Sequence, residues 1–145
     1  MFQHLLLPVD GSPLSEAAFS KALVFAREAR ARVTVIRVIP DFHVYTYQVE
    51  LLADTRTRFV QEATRNAAEY LRTLAAEAEA ADVSCETLSV IHDHPYEAII
   101  QAAQERACDL IVMASHGRRG LQGVLIGSET NKVLTHSTIP VLVYR

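Results

Sequence analysis

Residues 113–128 read MASHGRRGLQGVLIGS, and this is the most informative stretch of the chain. The apolar run DLIVM leads into it at positions 109–113, and a helical pattern from Glu129 to His136 follows it. A buried strand is therefore expected to enter a loop with four glycines and two arginines, which ends at a helix N-terminus. Such an N-terminus carries unpaired N–H groups and a partial positive charge, and glycine lets a ligand approach the backbone closely. The pattern predicts a phosphate-binding loop.

Strands and helices alternate along the whole chain. Strands are predicted at Leu5–Val9, Val33–Ile39, Ser84–Ile91, Leu110–Ala114 and Pro140–Tyr144. Helices are predicted at Pro13–Arg30, Glu50–Ala81, Pro95–Arg106 and Ser128–His136. This alternation predicts an α/β fold, a single domain over residues 1–145 with an open parallel five-stranded sheet and helices on both faces. Right-handed crossovers favour the strand order 3-2-1-4-5.

Two loops are expected to meet at the carboxyl edge of this sheet. Ligands of such folds bind where the strand order reverses, which here is between the first and fourth strands. The loop after the first strand reads PVDGS at positions 8–12, and the loop after the fourth strand is the glycine-rich one. Topology alone therefore predicts a ligand site between them.

The composition excludes several classes of protein. A net charge of −3 offers no basic field for nucleic acid or for a membrane surface. The N-terminus lacks the charged region and cleavage site of a signal peptide, and no apolar run is long enough to span a bilayer. Cys85 and Cys108 are predicted to be buried free thiols, as in a reducing compartment. We therefore expect a cytoplasmic protein.

The glycine-rich stretch resembles the signature of the universal stress protein family, G-x2-G-x9-G-[ST] after the fourth strand. Nine residues separate Gly117 from Gly127-Ser128, whereas the first glycine of the pattern falls on Ala114. The segments LLPVDGS at 6–12 and IPVLV at 139–143 extend the resemblance over nearly the whole chain. It implies a Rossmann-like fold of the adenine nucleotide alpha hydrolase kind, and binding of ATP, ADP or AMP with Mg²⁺ bridging the phosphates.

The nucleotide-binding role of each residue follows from its position. The Asp10 carboxylate is expected to accept hydrogen bonds from the ribose hydroxyls. The alternative is that Asp10 only stabilises a turn or caps a helix. The resemblance implies that the backbone of Val38 reads the adenine edge, although by pattern alone it is a core valine. Glu129 is expected to offer only its amide, because its carboxylate repels phosphate. The predicted nucleotide-binding set is Pro8, Val9, Asp10, Val38, Met113, Ala114, His116, Gly117, Arg118, Arg119, Gly120, Gly127, Ser128, Glu129 and Thr130.

Three loop residues, Arg118, Arg119 and His116, each have a functional and a structural interpretation. Arg118 and Arg119 either pair with the terminal phosphates or solvate the loop. His116 either contacts a phosphate or carries a proton, or else packs against the loop backbone, which we favour.

The run His92-Asp93-His94 has a spacing that can ligate a metal on one face of a strand. It ends the third strand, however, and Pro95 opens a helix, so Asp93 or His94 is better explained as a helix cap. We predict no metal bound by protein side chains.

Three functions remain open. The first is a nucleotide-binding regulatory module for the stress response; the second is an enzyme, such as a slow ATP hydrolase or an adenylyl-transferring relative. The third is a nucleotide-free interaction protein whose glycine loop is a relic. The glycine-rich loop offers no evident general base, which weakens the enzyme hypothesis. We favour the module, with weak ATPase activity at most.

The fifth strand is expected to be an edge of the sheet. It reads PVLVY at positions 140–144 and has no lysine, internal proline or bulge signal to protect it. Edges of this kind pair readily with another chain. We therefore expect a homodimer through Val141–Val143, a partner that the family resemblance also implies. The alternative is a monomer in which Arg145 and the last helix shield the edge.

Overall fold

A computed structural model describes residues 1–41, 49–117 and 126–145, with the backbone alone for residues 49–52. Its elements are β1 (His4–Pro8), α1 (Pro13–Ala29), β2 (Arg32–Ile39), α2 (Val49–Ala80), β3 (Cys85–Ile91), α3 (Pro95–Glu105), β4 (Leu110–Ala114), α4 (Ser128–His136) and β5 (Val141–Tyr144). All nine predicted elements are confirmed, and each boundary lies within one residue of its expected place.

The five strands form one parallel sheet in the order β3-β2-β1-β4-β5, as predicted. β1 lies at its centre, where Leu6 is in register with Thr34 of β2 and with Ile111 of β4. Because all strands run the same way, the loops that follow β1 and β4 leave the sheet side by side at its carboxyl edge. The order thus places the predicted site where two neighbouring strands end.

Alternate residues of the strands face two separate cores. Leu5 and Leu7 of β1 pack with α1 and α2 on one face, where Phe19 is buried. Leu6 faces the opposite way and packs with α3 and α4, where Val133 is buried. Each fully buried side chain of this size contributes about 1.5–3 kcal/mol to folding. Helices on both faces are therefore a consequence of central strands whose consecutive residues are apolar on both faces, as in Leu5, Leu6 and Leu7.

The start of α1 follows the sequence signal. The Ser12 hydroxyl accepts a hydrogen bond from the Ser15 amide at 3.2 Å, and Pro13 occupies the first turn. The helix ends at Arg30, whose φ of 55° is left-handed. Ser12 and Pro13 thus fix the point at which the chain leaves the loop after β1.

The two cysteines are free, but they differ in burial. Cys108 is buried, and burial raises the pKa of its thiol to about 11. Cys85 is only half-buried, so the expectation that both thiols are buried is wrong. The reason is its place at the first position of an edge strand, which has a neighbour on one side only. Among the described helices, none has the length and apolar composition required to cross a bilayer.

A polar pair is buried between β1 and β2. His4 Nε2 lies 2.7 Å from the Thr34 hydroxyl, whereas His4 Nδ1 has no hydrogen-bond partner in the described residues. Burial and the nearby charge of Arg32 lower the pKa of His4 below its ordinary value of 6.5. Folding therefore keeps this imidazole neutral.

We expect acid to destabilise the protein through His4. Below about pH 6.5 the unfolded chain binds a proton at this imidazole that the folded chain does not bind. The free energy of unfolding should therefore fall as the pH decreases from 6.5 towards the lowered folded pKa, by at most about 1.4 kcal/mol per pH unit. Urea unfolding at several pH values measures this slope. His4→Leu should flatten this slope relative to the wild type. An unchanged slope in His4→Leu would assign the effect to other groups.

Candidate functional site

The loops after β1 and β4 touch each other. A Cβ atom built on Gly117 would overlap Oδ2 of Asp10 and would lie 3.4 Å from its Cγ. Gly117 has no left-handed backbone angle; among the described glycines only Gly11 does, with a φ of 77°. Glycine at position 117 therefore makes room for the Asp10 carboxylate, and the predicted convergence of the two loops is confirmed.

Asp10 uses its two carboxylate oxygens differently. Oδ1 accepts a hydrogen bond from the Ser12 amide at 2.9 Å, which is the geometry of a turn aspartate. Its backbone amide also donates to the Ser15 hydroxyl, at 3.2 Å. Oδ2 lies against Gly117, at the point where the two loops meet. Asp10 therefore does stabilise a turn, and the same hydrogen bond orients its second oxygen towards the predicted site.

The start of α4 is fastened to the end of β4. The Gly127 amide donates to the Ser115 carbonyl at 2.6 Å, and the Thr130 hydroxyl donates to the Ala114 carbonyl at 2.9 Å. Gly127 is the N-cap residue, and no side chain caps this helix. The first-turn amides therefore have no partner within the helix. Two donors expected for phosphate, the Gly127 amide and the Thr130 hydroxyl, serve the fold instead.

The donors that remain at this helix end are few and adjacent. They are the amides of Ser128, Glu129 and Thr130, together with the exposed Ser128 hydroxyl, which has no partner in the described part of the chain. A helix N-terminus of this kind attracts an anion.

The Glu129 side chain is turned towards α3. Its Oε2 accepts a hydrogen bond from the Tyr96 amide at 3.0 Å, and its Oε1 lies 3.1 Å from Lys132 Nζ. This is the orientation that the sequence argument required, since the carboxylate is occupied by donors outside the loop.

Apolar residues line the sheet beneath the two loops. Val38 and Met113 are buried in the α3–α4 core, and Ala114 is buried beside them at the end of β4. The Val38 side chain is thus a core residue, and its carbonyl accepts from Arg37 Nη1 at 3.2 Å. Pro8 is half-buried, and the Val9 amide donates to the Ile36 carbonyl at 2.9 Å. The floor of the site, as we call it, lies at the carboxyl ends of β1, β2 and β4 and consists of Pro8, Val9, Val38, Met113 and Ala114.

Sequence reasoning missed two residues near this floor. Arg37 is half-buried at the end of β2, with its guanidinium at the Val38 carbonyl. The Tyr70 hydroxyl of α2 is buried without a partner in the described residues, and burial together with the charges of Glu16 and Asp10 raises its pKa. The signal for Tyr70 was an aromatic side chain on an otherwise alanine-rich helix.

His116 is half-buried in the loop, and its Nδ1 lies 3.2 Å from the Ser115 hydroxyl. Its packing beneath Gly127 fits the interpretation that we favoured, because a Cβ at Gly127 would lie 3.1 Å from the His116 Cα atom. Arg118, Arg119 and Gly120 lie outside the described residues.

The run His92-Asp93-His94 ends β3, as expected. His94 is the N-cap residue of α3, but its side chain makes no capping bond, and the His94 amide itself donates to His92 Nδ1 at 2.9 Å. Of the two predicted caps, Asp93 or His94, the structure has His94 at the N-cap position, but the side-chain acceptor for the first free amide of the helix comes from Glu129. Within residues 1–41, 49–117 and 126–145, no cluster of three His, Cys, Asp or Glu side chains is arranged to hold a metal ion.

Comparison with known proteins identifies this arrangement. The model of the universal stress protein family matches residues 1–145. The chain belongs to the universal stress protein family. It is 32% identical to a universal stress protein of Thermus aquaticus over 146 residues, covering both chains fully, and 29% identical to the universal stress protein YxiE of Bacillus subtilis over 149 residues, again covering both.

Solved structures show the same fold. The structure of MJ0577 superposes with a TM-score of 0.86 at 26% identity and covers 99% of this chain and 95% of that one. UspA from Lactobacillus plantarum gives a TM-score of 0.85 at 25% identity, covering 99% and 98%. A universal stress protein in complex with cAMP (23% identity, TM-score 0.72, covering 99% and 97%) and one from Archaeoglobus fulgidus in complex with dAMP (17%, 0.66, covering 100% and 98%) share the fold.

The universal stress protein signature has a steric basis in this chain. Gly117 leaves space for Asp10, and Gly127 leaves space for the His116 backbone and for the Ser115 carbonyl, which would lie 3.3 Å from an added Cβ. Both glycines allow close packing between segments of this protein. A large residue at position 127 would therefore disturb the loop itself, with or without a ligand.

We expect Thr130→Val to destabilise the protein. Valine has nearly the shape of threonine but cannot donate to the Ala114 carbonyl, so the free energy of unfolding should fall by about 1–2 kcal/mol. Thr135→Val is the matched control, because the exposed Thr135 hydroxyl bonds only to the Asn131 carbonyl of its own helix. The control should change stability by less than about 0.5 kcal/mol in urea unfolding. Equal effects of the two substitutions would show that the hydrogen bond from Thr130 to the end of β4 does not add to the free energy of unfolding.

Proposed function

We propose that this universal stress protein binds an adenine nucleotide and acts as a homodimeric regulatory module. The observation that carries the proposal is the contact of Asp10 with Gly117 beside the open N-terminus of α4. Two groups lie at the point where the strand order reverses. One is a carboxylate that can accept hydrogen bonds from hydroxyl groups, and the other is a helix end that can hold an anion. A ribose joined to a phosphate carries these two kinds of group.

In the proposed complex, each part of the nucleotide meets a matching part of the site. The phosphates accept hydrogen bonds from the amides of Ser128, Glu129 and Thr130, and Gly117, Arg118, Arg119 and Gly120 contribute from the loop. The ribose hydroxyls donate to Oδ2 of Asp10. The adenine lies over the apolar floor, where Val38 offers its backbone; the floor residues are Pro8, Val9, Val38, Met113 and Ala114.

ATP, ADP and AMP are all candidate ligands, with Mg²⁺ held by the phosphates. The chemistry of the described donors fits such a group, because amides and a hydroxyl bind phosphate oxygens, and a half-buried carboxylate lies close by. Structures of this fold hold cAMP and dAMP, which supports an adenine nucleotide as the ligand class.

We propose a binding module rather than an enzyme, with slow hydrolysis of ATP at most. The support is the side-chain chemistry at this helix end. The Glu129 carboxylate is bonded to the Tyr96 amide and to Lys132, so it is not placed to take a proton from an attacking water. The Asp10 carboxylate is bonded to the Ser12 amide and, in the proposed complex, also to the ribose hydroxyls.

Mass spectrometry of nucleotide released from freshly purified, denatured protein tests the proposal directly. Calorimetry with AMP and with ATP–Mg²⁺ should give saturable heat. Absence of both released nucleotide and heat at about millimolar ligand, a concentration corresponding to only about 4 kcal/mol of binding, would refute it.

Asp10→Asn should weaken AMP binding. Asparagine can keep the acceptor for the Ser12 amide through Oδ1, but the group that replaces Oδ2 no longer accepts, so the loss should be about 1–3 kcal/mol. Asp82→Asn is the control, because Asp82 is exposed and its φ of 58° suits asparagine. The wild type should bind dAMP more weakly than AMP if Asp10 accepts from the 2′-hydroxyl. Equal affinities for AMP and dAMP would exclude that contact.

The proposed dimer rests on β5. This strand is an edge of the sheet, and Leu142 is 43% exposed on it. Leu142 is in register with Val112, which faces the α1–α2 core, whereas Val141 packs against the core under α3 and α4. A second copy can add its own β5 antiparallel to this one, so that the apolar strand is covered and the assembly closes. We propose Val141–Val143 as the dimer contact.

Leu142→Lys should convert the dimer to a monomer. The substitution places a charge on the exposed side of the edge without entering either core, and lysine on an edge strand opposes pairing. Light scattering coupled to size exclusion measures the mass. Val24→Lys is the control, because Val24 is 46% exposed on α1 and is not part of the sheet edge. A wild-type protein that is monomeric at high concentration would contradict the proposed dimer.

A further inference from the structure

The N-terminus of α3 has no cap from its own segment. The N-cap residue His94 has extended backbone angles and makes no side-chain capping bond, and the next residue, Pro95, has no N–H group. Tyr96 therefore carries the first amide that needs an acceptor. It finds Oε2 of Glu129, 33 residues further along the chain, at 3.0 Å. One helix thus supplies the cap of the other.

The side chain of Tyr96 makes further contacts, which are separate from the hydrogen bond of its amide. The Tyr96 hydroxyl donates to Glu97 Oε1 at 2.9 Å, and its ring centroid lies 5.2 Å from that of His136 and 5.5 Å from Lys132 Nζ. Lys132 also lies 3.1 Å from the other oxygen of Glu129. The carboxylate therefore lies between a helix N-terminus and the ammonium group of Lys132, and both donate hydrogen bonds to it.

Three attachments fix the first turn of α4, and they act in different directions. The bonds from Gly127 to Ser115 and from Thr130 to Ala114 tie the turn to β4. The bond from Glu129 to Tyr96 ties it sideways to α3. The body of α4 is held by packing, with Val133 fully buried in the core that α3 and α4 share. The bond from Glu129 acts on the first turn itself, so it restricts the direction in which the first-turn amides point.

We infer that Glu129 is a positioning residue for the phosphate-binding end of α4, acting through the N-terminus of α3. The inference rests on the proposed nucleotide binding and assigns this side chain a role distinct from that of its amide. Donors held in place before the ligand arrives lose less conformational entropy on binding. The same bond keeps the carboxylate away from the phosphate, so one contact both orients the donors and removes a repulsive charge.

The length and the charge of the side chain can be separated by substitution. Glu129→Gln keeps an oxygen with the same reach but removes the charge. Glu129→Asp keeps the charge but is one methylene too short to reach the Tyr96 amide from the same backbone. Glu129→Ala removes both. Glu97→Ala is the control, because Glu97 contacts the Tyr96 hydroxyl and not α4.

Calorimetric titration with AMP should show a loss of about tenfold in affinity for Glu129→Ala and Glu129→Asp, the size expected for one charge-assisted hydrogen bond. Glu129→Gln should stay within about threefold of the wild type, since the neutral bond remains. Glu97→Ala should bind AMP as the wild type does. Wild-type affinity in Glu129→Asp, or an equal loss in Glu129→Gln and Glu129→Asp, would overturn the positioning role.

A ligand-free measurement separates this inference from the proposed function. In amide NMR spectra the Tyr96 proton should titrate with a carboxyl group in the wild type and in Glu97→Ala, but not in Glu129→Gln. Absence of that titration in the wild type would refute the contact itself. If the wild type shows the titration but binds no AMP, the proposed function fails and the positioning role falls with it. If AMP binds and the affinities of the variants are equal, only the positioning role fails.

Discussion

The pairing of β1 with β4 is the contact on which the rest of the molecule depends. It brings Leu5 and Leu6 into register with Leu110 and Ile111, although about a hundred residues separate the two strands. Leu5 and Leu6 then have a neighbouring strand on both sides, and consecutive β1 residues face helix layers on opposite faces, so the leucines of β1 are buried. The same pairing places the ends of β1 and β4 side by side, and the two loops leave the sheet in contact.

The loop residues show how the proposed anion site is built from packing requirements. Gly117 is small because Asp10 lies against it, and Gly127 is small because His116 lies beneath it. The Gly127 amide and the Thr130 hydroxyl are bonded to the end of β4, whereas the first-turn amides of α4 have no partner within the helix. The donors that hold the helix differ from those that can hold a ligand. A rigid first turn and unpaired amides can therefore exist at the same helix end.

Charge is distributed around this end in a consistent way. Asp10 turns one oxygen into its own turn and the other towards Gly117. Glu129, which would repel a phosphate, is bound by the neighbouring helix and by Lys132. The half-buried Arg37 adds a cation at the end of β2, next to the floor of the site. The electrostatic field at the cleft is thus set by elements from both sides of the sheet.

The amino-acid sequence by itself determined the elements, their order and the place of the cleft. Periodicity fixes the helices and strands because apolar residues must reach a core, and the handedness of crossovers limits the strand order. The sequence did not reveal why Gly127 is a glycine, which donors at α4 are already used, or that Glu129 caps α3 in place of His94. It also placed Cys85 in the core, although an edge strand leaves it half-buried. These points became visible only in the tertiary structure, because each depends on a contact between segments far apart in the chain. The local sequence does not specify which of its polar groups such a contact will use.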